Sequence, residues 1–199
     1  MKKWRPLLWV IAIIVLLLVM PAEKTLGQWI KWVYLHASFD AIGLLGFYGA
    51  ALLSLLFLLG GRKDGLIHWA SALWKTGTLF WMAGWLIGTV LGIVLWGGWT
   101  TAEPRNLLAP AIVLLGVGVW IVAANLRYND TVYAYPVGAV LIWAALNFTG
   151  RLIHPLNPIG SGDPVLKITY SLVLIAMGLL GYELTLRFKK GKIKGFPHV

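Results

Sequence analysis

Hydrophobic residues fall along this chain in six long runs separated by short polar breaks. The runs cover about Leu7–Met20, Trp29–Leu59, Leu66–Leu95, Leu107–Leu126, Val132–Thr149 and Ile168–Phe188. A helix needs about 20 predominantly apolar residues to cross a bilayer. The pattern predicts an all-α integral membrane protein with six transmembrane helices. No soluble domain fits between the runs and no internal repeat is evident. Residues 1–199 therefore read as a single six-helix membrane domain.

The second and third runs exceed what the hydrocarbon core requires. Thirty helical residues span about 45 Å, so these helices tilt or project beyond the membrane. Gly43, Gly46, Gly84, Gly88 and Gly92 lie within them and read as sites of close helix contact. The first run, behind the basic start "MKKWR", has the outline of a signal peptide. However, "LLVMPAEK" is a poor small-residue cleavage site, and a retained helix is expected.

Composition supports the membrane class: 59% of residues are hydrophobic and 12% charged. The net charge of +10 does not point to nucleic acid, because the charges sit between the runs and at the chain ends. Lys2, Lys3, Arg5, Arg62, Lys63, Arg127, Arg187, Lys189, Lys190, Lys192 and Lys194 fall on one side of a six-span chain. Lys24, Lys31, Arg105, Arg151 and Lys167 fall on the other. Eleven against five places both termini in the cytoplasm by the positive-inside rule. There are no cysteines, which excludes disulfides, thiolate metal sites and thioether haem attachment through this chain. Histidine-ligated haem is not excluded.

This topology puts "WGGWTTAEPR", Trp96–Arg105, in an outer loop at about 96–106. Indole suits the headgroup zone, so Trp96 and Trp99 read as interfacial anchors when taken alone. Trp29 and Trp32 lie at the same level, while Trp81 and Trp85 share a helix face below it. Arg105 and Arg151 add cations at the rim. Two histidines share this side: His36 in "WVYLHASFD", and His154 in a second outer loop at about 150–167. An intramembrane histidine is a functional candidate, with helix-to-helix hydrogen bonding as the plainer alternative. Imidazoles, flat aromatic walls and a guanidinium rim suit haem, which needs axial ligands, apolar contacts and partners for its propionates. Asp40, one turn from His36, reads as a hydrogen-bonding neighbour with a possible supporting role. His68 reads as interfacial on the inner side, and His198 as part of the basic tail.

These residues resemble the cytochrome c assembly protein family, the haem-handling membrane proteins of c-type cytochrome maturation. The likeness runs over most of the chain and is closest to the small six-helix member that presents haem to a haem chaperone. That family carries a tryptophan-rich outer loop close to WGxxWxWDxR after its third helix. Here "WGGWTTAEPR" supplies Trp96, Gly97, Trp99 and Arg105, with Glu103 where the family has Asp. "TGTLFWMAGWLIGTVLG" resembles the family's lead-in, "YLHAS" its first histidine motif and "LIHP" its second. Thr100 and Ala102 stand where the family has further tryptophans, and its usual Val-Pro after the first histidine motif is absent.

The resemblance implies that His36 and His154 are axial ligands to one haem b. It also implies that Trp96, Gly97, Trp99, Glu103 and Arg105 form the haem-contacting loop. The implied role is to hold haem at the outer face of a prokaryotic plasma membrane and hand it on for cytochrome c biogenesis. A haem chaperone or other maturation proteins would be partners, and the chain would not be an enzyme. The alternatives are a b-type cytochrome and a haem-free structural subunit of a respiratory complex. Two stacked haems need four axial ligands, which these histidines do not supply on suitable helices.

Overall fold

The computed structural model describes residues 4–60, 64–98, 104–148 and 163–190. They form six helices: α1 (Arg5–Val19), α2 (Ile30–Leu59), α3 (Asp64–Trp96), α4 (Pro104–Asn125), α5 (Tyr128–Phe148) and α6 (Pro164–Lys189). Each coincides with one of the six apolar runs. Four of them, α2, α3, α4 and α6, are long and apolar enough to cross a membrane. α1 is apolar but has only 15 residues. α5 carries Asp130 in its first turn, Asn147 near its end and Pro136 inside it. Lys75, a charged residue in the middle of α3, has its ammonium nitrogen 5.5 Å from the centroid of the Trp120 ring of α4.

Local chemistry explains several helix ends. The Asp163 side chain accepts the Val165 N–H at 2.8 Å, and Pro164 follows at the first helical position. α6 therefore begins before its hydrophobic run does. Between α1 and α2, Glu23 and Gly27 exchange backbone hydrogen bonds of 3.0 and 2.8 Å. Gly27 takes a left-handed φ of 56° there. The Glu23 carboxylate closes this turn by accepting the N–H groups of Leu26 at 2.7 Å and Thr25 at 2.8 Å. These bonds favour the ionised form and hold its pKa below the ordinary carboxylate range, Leu26 contributing most.

α2 and α3 form the central antiparallel pair and share the largest interface. Small residues set their spacing. A Cβ on Gly46 would lie 2.7 Å from the Gly77 Cα and 2.8 Å from the Leu73 carbonyl oxygen. Backbone thus meets backbone at this crossing. On one flank, α4 and α5 pack around Phe47, Trp74, Ile112, Val132 and Ile142. Trp74 Nε1–H donates to the Gly116 carbonyl of α4 at 2.9 Å, and the Trp74 ring lies against Gly138 of α5. On the other flank, α1 and α6 pack around Tyr34, Ile42, Val173 and Met177. A buried hydroxyl pair, Thr76–Thr185 at 2.8 Å, joins α3 to α6. Large apolar side chains on the outside, Leu18, Leu59, Leu114 and Ile175 among them, are the surface a bilayer would cover.

The contacts fix relative directions. α3 runs against α2, α4 and α6, and α5 runs against α4. The starts of α2, α4 and α6 therefore share one end of the bundle with the end of α3. The end of α5 lies there too.

Candidate functional site

The first turns of α2 present Trp29, Trp32, His36 and Asp40 at spacings of three and four, which puts them along one helix side. Trp29 and Trp32 are well exposed, and the His36 and Asp40 side chains are each about 30% exposed (30% and 29%). Across from them, α3 presents Gly84, Gly88 and Gly92 at intervals of four. α3 is therefore stripped of side chains where α2 carries its polar pair.

The two sets interlock. A Cβ on Gly88 would lie 2.7 Å from Cε1 of His36 and 3.2 Å from both ring nitrogens. One turn away, a Cβ on Gly84 would collide with the Asp40 carboxylate. His36 and Asp40 each sit on one glycine of α3. A further turn along, a Cβ on Gly92 would meet nothing within 4 Å. The glycine track is thus filled by side chains at Gly84 and Gly88 and opens at Gly92. Gly88 lies eight residues before Trp96, about 12 Å along the axis.

Polar contacts fix the imidazole. His36 Nδ1 is 2.9 Å from the Gly84 carbonyl oxygen. A carbonyl can only accept, so Nδ1 carries the proton in this contact. Nε2 is the ring nitrogen that this contact leaves over, and it lies 3.5 Å from Oδ2 of Asp40. A histidine whose Nδ1–H is held by a backbone carbonyl is the common arrangement for ligation through Nε2. Among the described residues, no three His, Asp or Glu side chains gather as a metal cluster.

The structure sorts the other expected residues. Trp96 closes α3, and Arg105 is the second residue of α4; their backbones are described and their side chains are not. Gly97 follows with φ 75° and Gly98 with φ 143°, a reversal that glycine makes readily. Trp99, Glu103 and His154 lie outside the described residues. His68 is in the first turns of α3, at the end away from His36. Trp81 is only 6% exposed and donates its Nε1–H to the Ala109 carbonyl of α4 at 3.1 Å. It is a packing residue of the α3–α4 interface rather than an aromatic wall. Trp85 packs against the same core, and its buried Nε1–H has no acceptor among the described residues.

The interlocking of His36 and Asp40 with Gly84 and Gly88 is the feature sequence reasoning missed. All five glycines read as helix contacts, which holds for Gly43, Gly46, Gly84 and Gly88, the last two meeting side chains of α2, and not for Gly92. The matching intervals, His-x₃-Asp on one run and Gly-x₃-Gly on the next, were the available signal. No protein-family model matches the chain, and no curated protein matches it.

Proposed function

We propose that this chain is a haem-handling membrane protein that binds haem b at the His36 end of its bundle and hands it on for c-type cytochrome biogenesis. The observation that carries the reading is the state of His36. Its Nδ1–H is committed to the Gly84 carbonyl, which leaves Nε2 to bind a metal. The ring rests on a glycine track that opens one turn further along, towards Trp96. Trp29 and Trp32 supply exposed flat apolar surface at the same end.

In this reading His36 and His154 are the axial ligands. His154 lies in the sequence between α5 and α6, and the end of α5 and the start of α6 are both at the His36 end. Trp96, Gly97 and Trp99 contact the macrocycle, Arg105 pairs with a propionate, and Glu103 orients Arg105 or caps α4. All six helices span a prokaryotic plasma membrane, with both termini cytoplasmic and the His36 end outside, in keeping with the charge distribution. Bound haem is cargo here, and the chain captures, orients and releases it.

The pairing of His36 with Asp40 favours a second reading. Both residues already find partners within the bundle, as in a haem-free structural subunit. An absorption spectrum of the full chain purified in detergent, with and without added haem, separates the two. Haem handling predicts a Soret band that His36→Ala weakens or abolishes. A wild-type protein that takes up no haem, or a His36→Ala variant with wild-type haem content and spectrum, refutes it.

A further inference from the structure

The interlocked pair has a consequence for any metal held by His36. The ring cannot turn freely, because Gly84 holds Nδ1 and Gly88 lies directly against its atoms. The Asp40 carboxylate is itself seated on Gly84, one turn away. The Nε2–Oδ2 separation of 3.5 Å is therefore fixed from both sides by α3. A cation bound at Nε2 acquires a carboxylate oxygen as a near neighbour, at a partly buried position. Opposite charges at such range interact far more strongly than at a wet surface.

We propose that Asp40 is a positioning and charge-compensating residue for a metal on His36, and that it biases bound haem towards the ferric state. This rests on the haem-handling reading above. The carboxylate is not required as a ligand. Its negative charge stabilises the more positive form of the iron and so lowers the reduction potential, one of the means by which a protein tunes haem. Gly84 contributes on two counts: its carbonyl orients the ring, and its missing Cβ makes room for the carboxylate.

The test uses the full chain in detergent, loaded with haem b and reduced stepwise against a reference electrode. Asp40→Asn keeps the size and removes the charge. The expected result is a retained Soret band with a midpoint potential above that of wild type, and Asp40→Glu should return it towards the wild-type value. An intact Soret band with an unchanged potential in Asp40→Asn overturns the proposal and leaves the haem reading standing. If Asp40→Asn holds no haem, Asp40→Glu decides. Retention at a near wild-type potential supports a need for the carboxylate, and loss in both variants overturns the charge assignment. Failure of wild type itself to take up haem removes the haem reading, and this proposal with it.

Discussion

The imidazole of His36 lies flush against Gly88, so close that a single added methyl group would come within 2.7 Å of Cε1. Gly88→Ala must therefore displace the ring or push α2 away from α3. Overpacking of this kind costs about 1–3 kcal/mol. Gly92→Ala, one turn on, meets open space and should stabilise the helix by up to about 1 kcal/mol through propensity. Thermal unfolding in detergent should separate the two. In a His36→Ala background the Gly88→Ala penalty should disappear, a coupling of at least about 0.5 kcal/mol in a double-mutant cycle. Equal penalties with and without the ring would show that the two residues do not bear on each other.

Gly46 makes a different contact, and the contrast is itself testable. Its missing Cβ faces the backbone of Gly77 and Leu73 at 2.7–2.9 Å, with no flexible side chain to yield. Gly46→Ala should therefore destabilise the protein more than Gly88→Ala, at or above the upper end of the same 1–3 kcal/mol range. Unfolding midpoints measured side by side decide the order. The reverse order would mean that α2 and α3 separate easily at Gly46.

These two glycines mark how far the sequence could be read. The six helices were legible because sustained apolar runs leave a chain few options, and each run became one helix. The start of α6 was misread at Ile168, although Asp163 and Pro164 carry a helix-start signature, because the reading followed hydrophobicity alone. Within the helices, a glycine announces that something comes close without saying what. Gly46 receives a backbone and Gly88 an imidazole, and only the register of α2 against α3 distinguishes them. Trp81 failed for the same reason, since its helix face turns towards α4. His36 was legible as a candidate, because histidine is expensive in an apolar run, but its partners on α3 were not.

The Glu23 turn should give stability a defined pH dependence. Backbone N–H groups of Leu26 and Thr25 lower the folded-state pKa of Glu23. The stabilisation is therefore complete above the unfolded-state pKa and is lost as pH falls through the lower, folded-state value. Glu23→Gln keeps an acceptor oxygen but removes the charge. It should unfold earlier than wild type at neutral pH, and the gap should narrow as pH falls through the lowered folded-state pKa. Melting curves at neutral and at acid pH check this, and a gap that persists or widens in acid would contradict the assignment.

The proposed six-span arrangement makes a prediction about sidedness. Cysteines introduced singly at Gly98 and Gly160 should react with a membrane-impermeant maleimide added to intact cells. One at Gly191 should react only after the cells are opened. The chain has no native cysteine, so the background is clean. Labelling at Gly191 from outside would invert the topology, and opposite behaviour at Gly98 and Gly160 would reduce the number of spans.

The reversal that links α3 to α4 carries the last prediction. α3 ends at Trp96, Gly97 and Gly98 turn the chain, and Arg105 lies in the first turn of α4. A tryptophan that only anchors a helix end in the headgroup zone should tolerate phenylalanine or tyrosine, because any amphipathic aromatic suits that zone. A tryptophan that covers a macrocycle supplies specific area, and alanine there should lower haem content. Arg105 is separable from both. If it pairs with a propionate, the contact is charge-assisted and bidentate, which lysine reproduces poorly. Arg105→Ala should then weaken haem retention, and raised salt should weaken wild-type retention in the same direction to the extent that the contact is exposed. Haem content after gel filtration at low and high salt reads both effects. Should Trp96→Ala, Trp99→Ala and Arg105→Ala combined leave haem content and its salt dependence at wild-type values, the reversal is a membrane anchor, and the haem contacts must lie elsewhere on the His36 end.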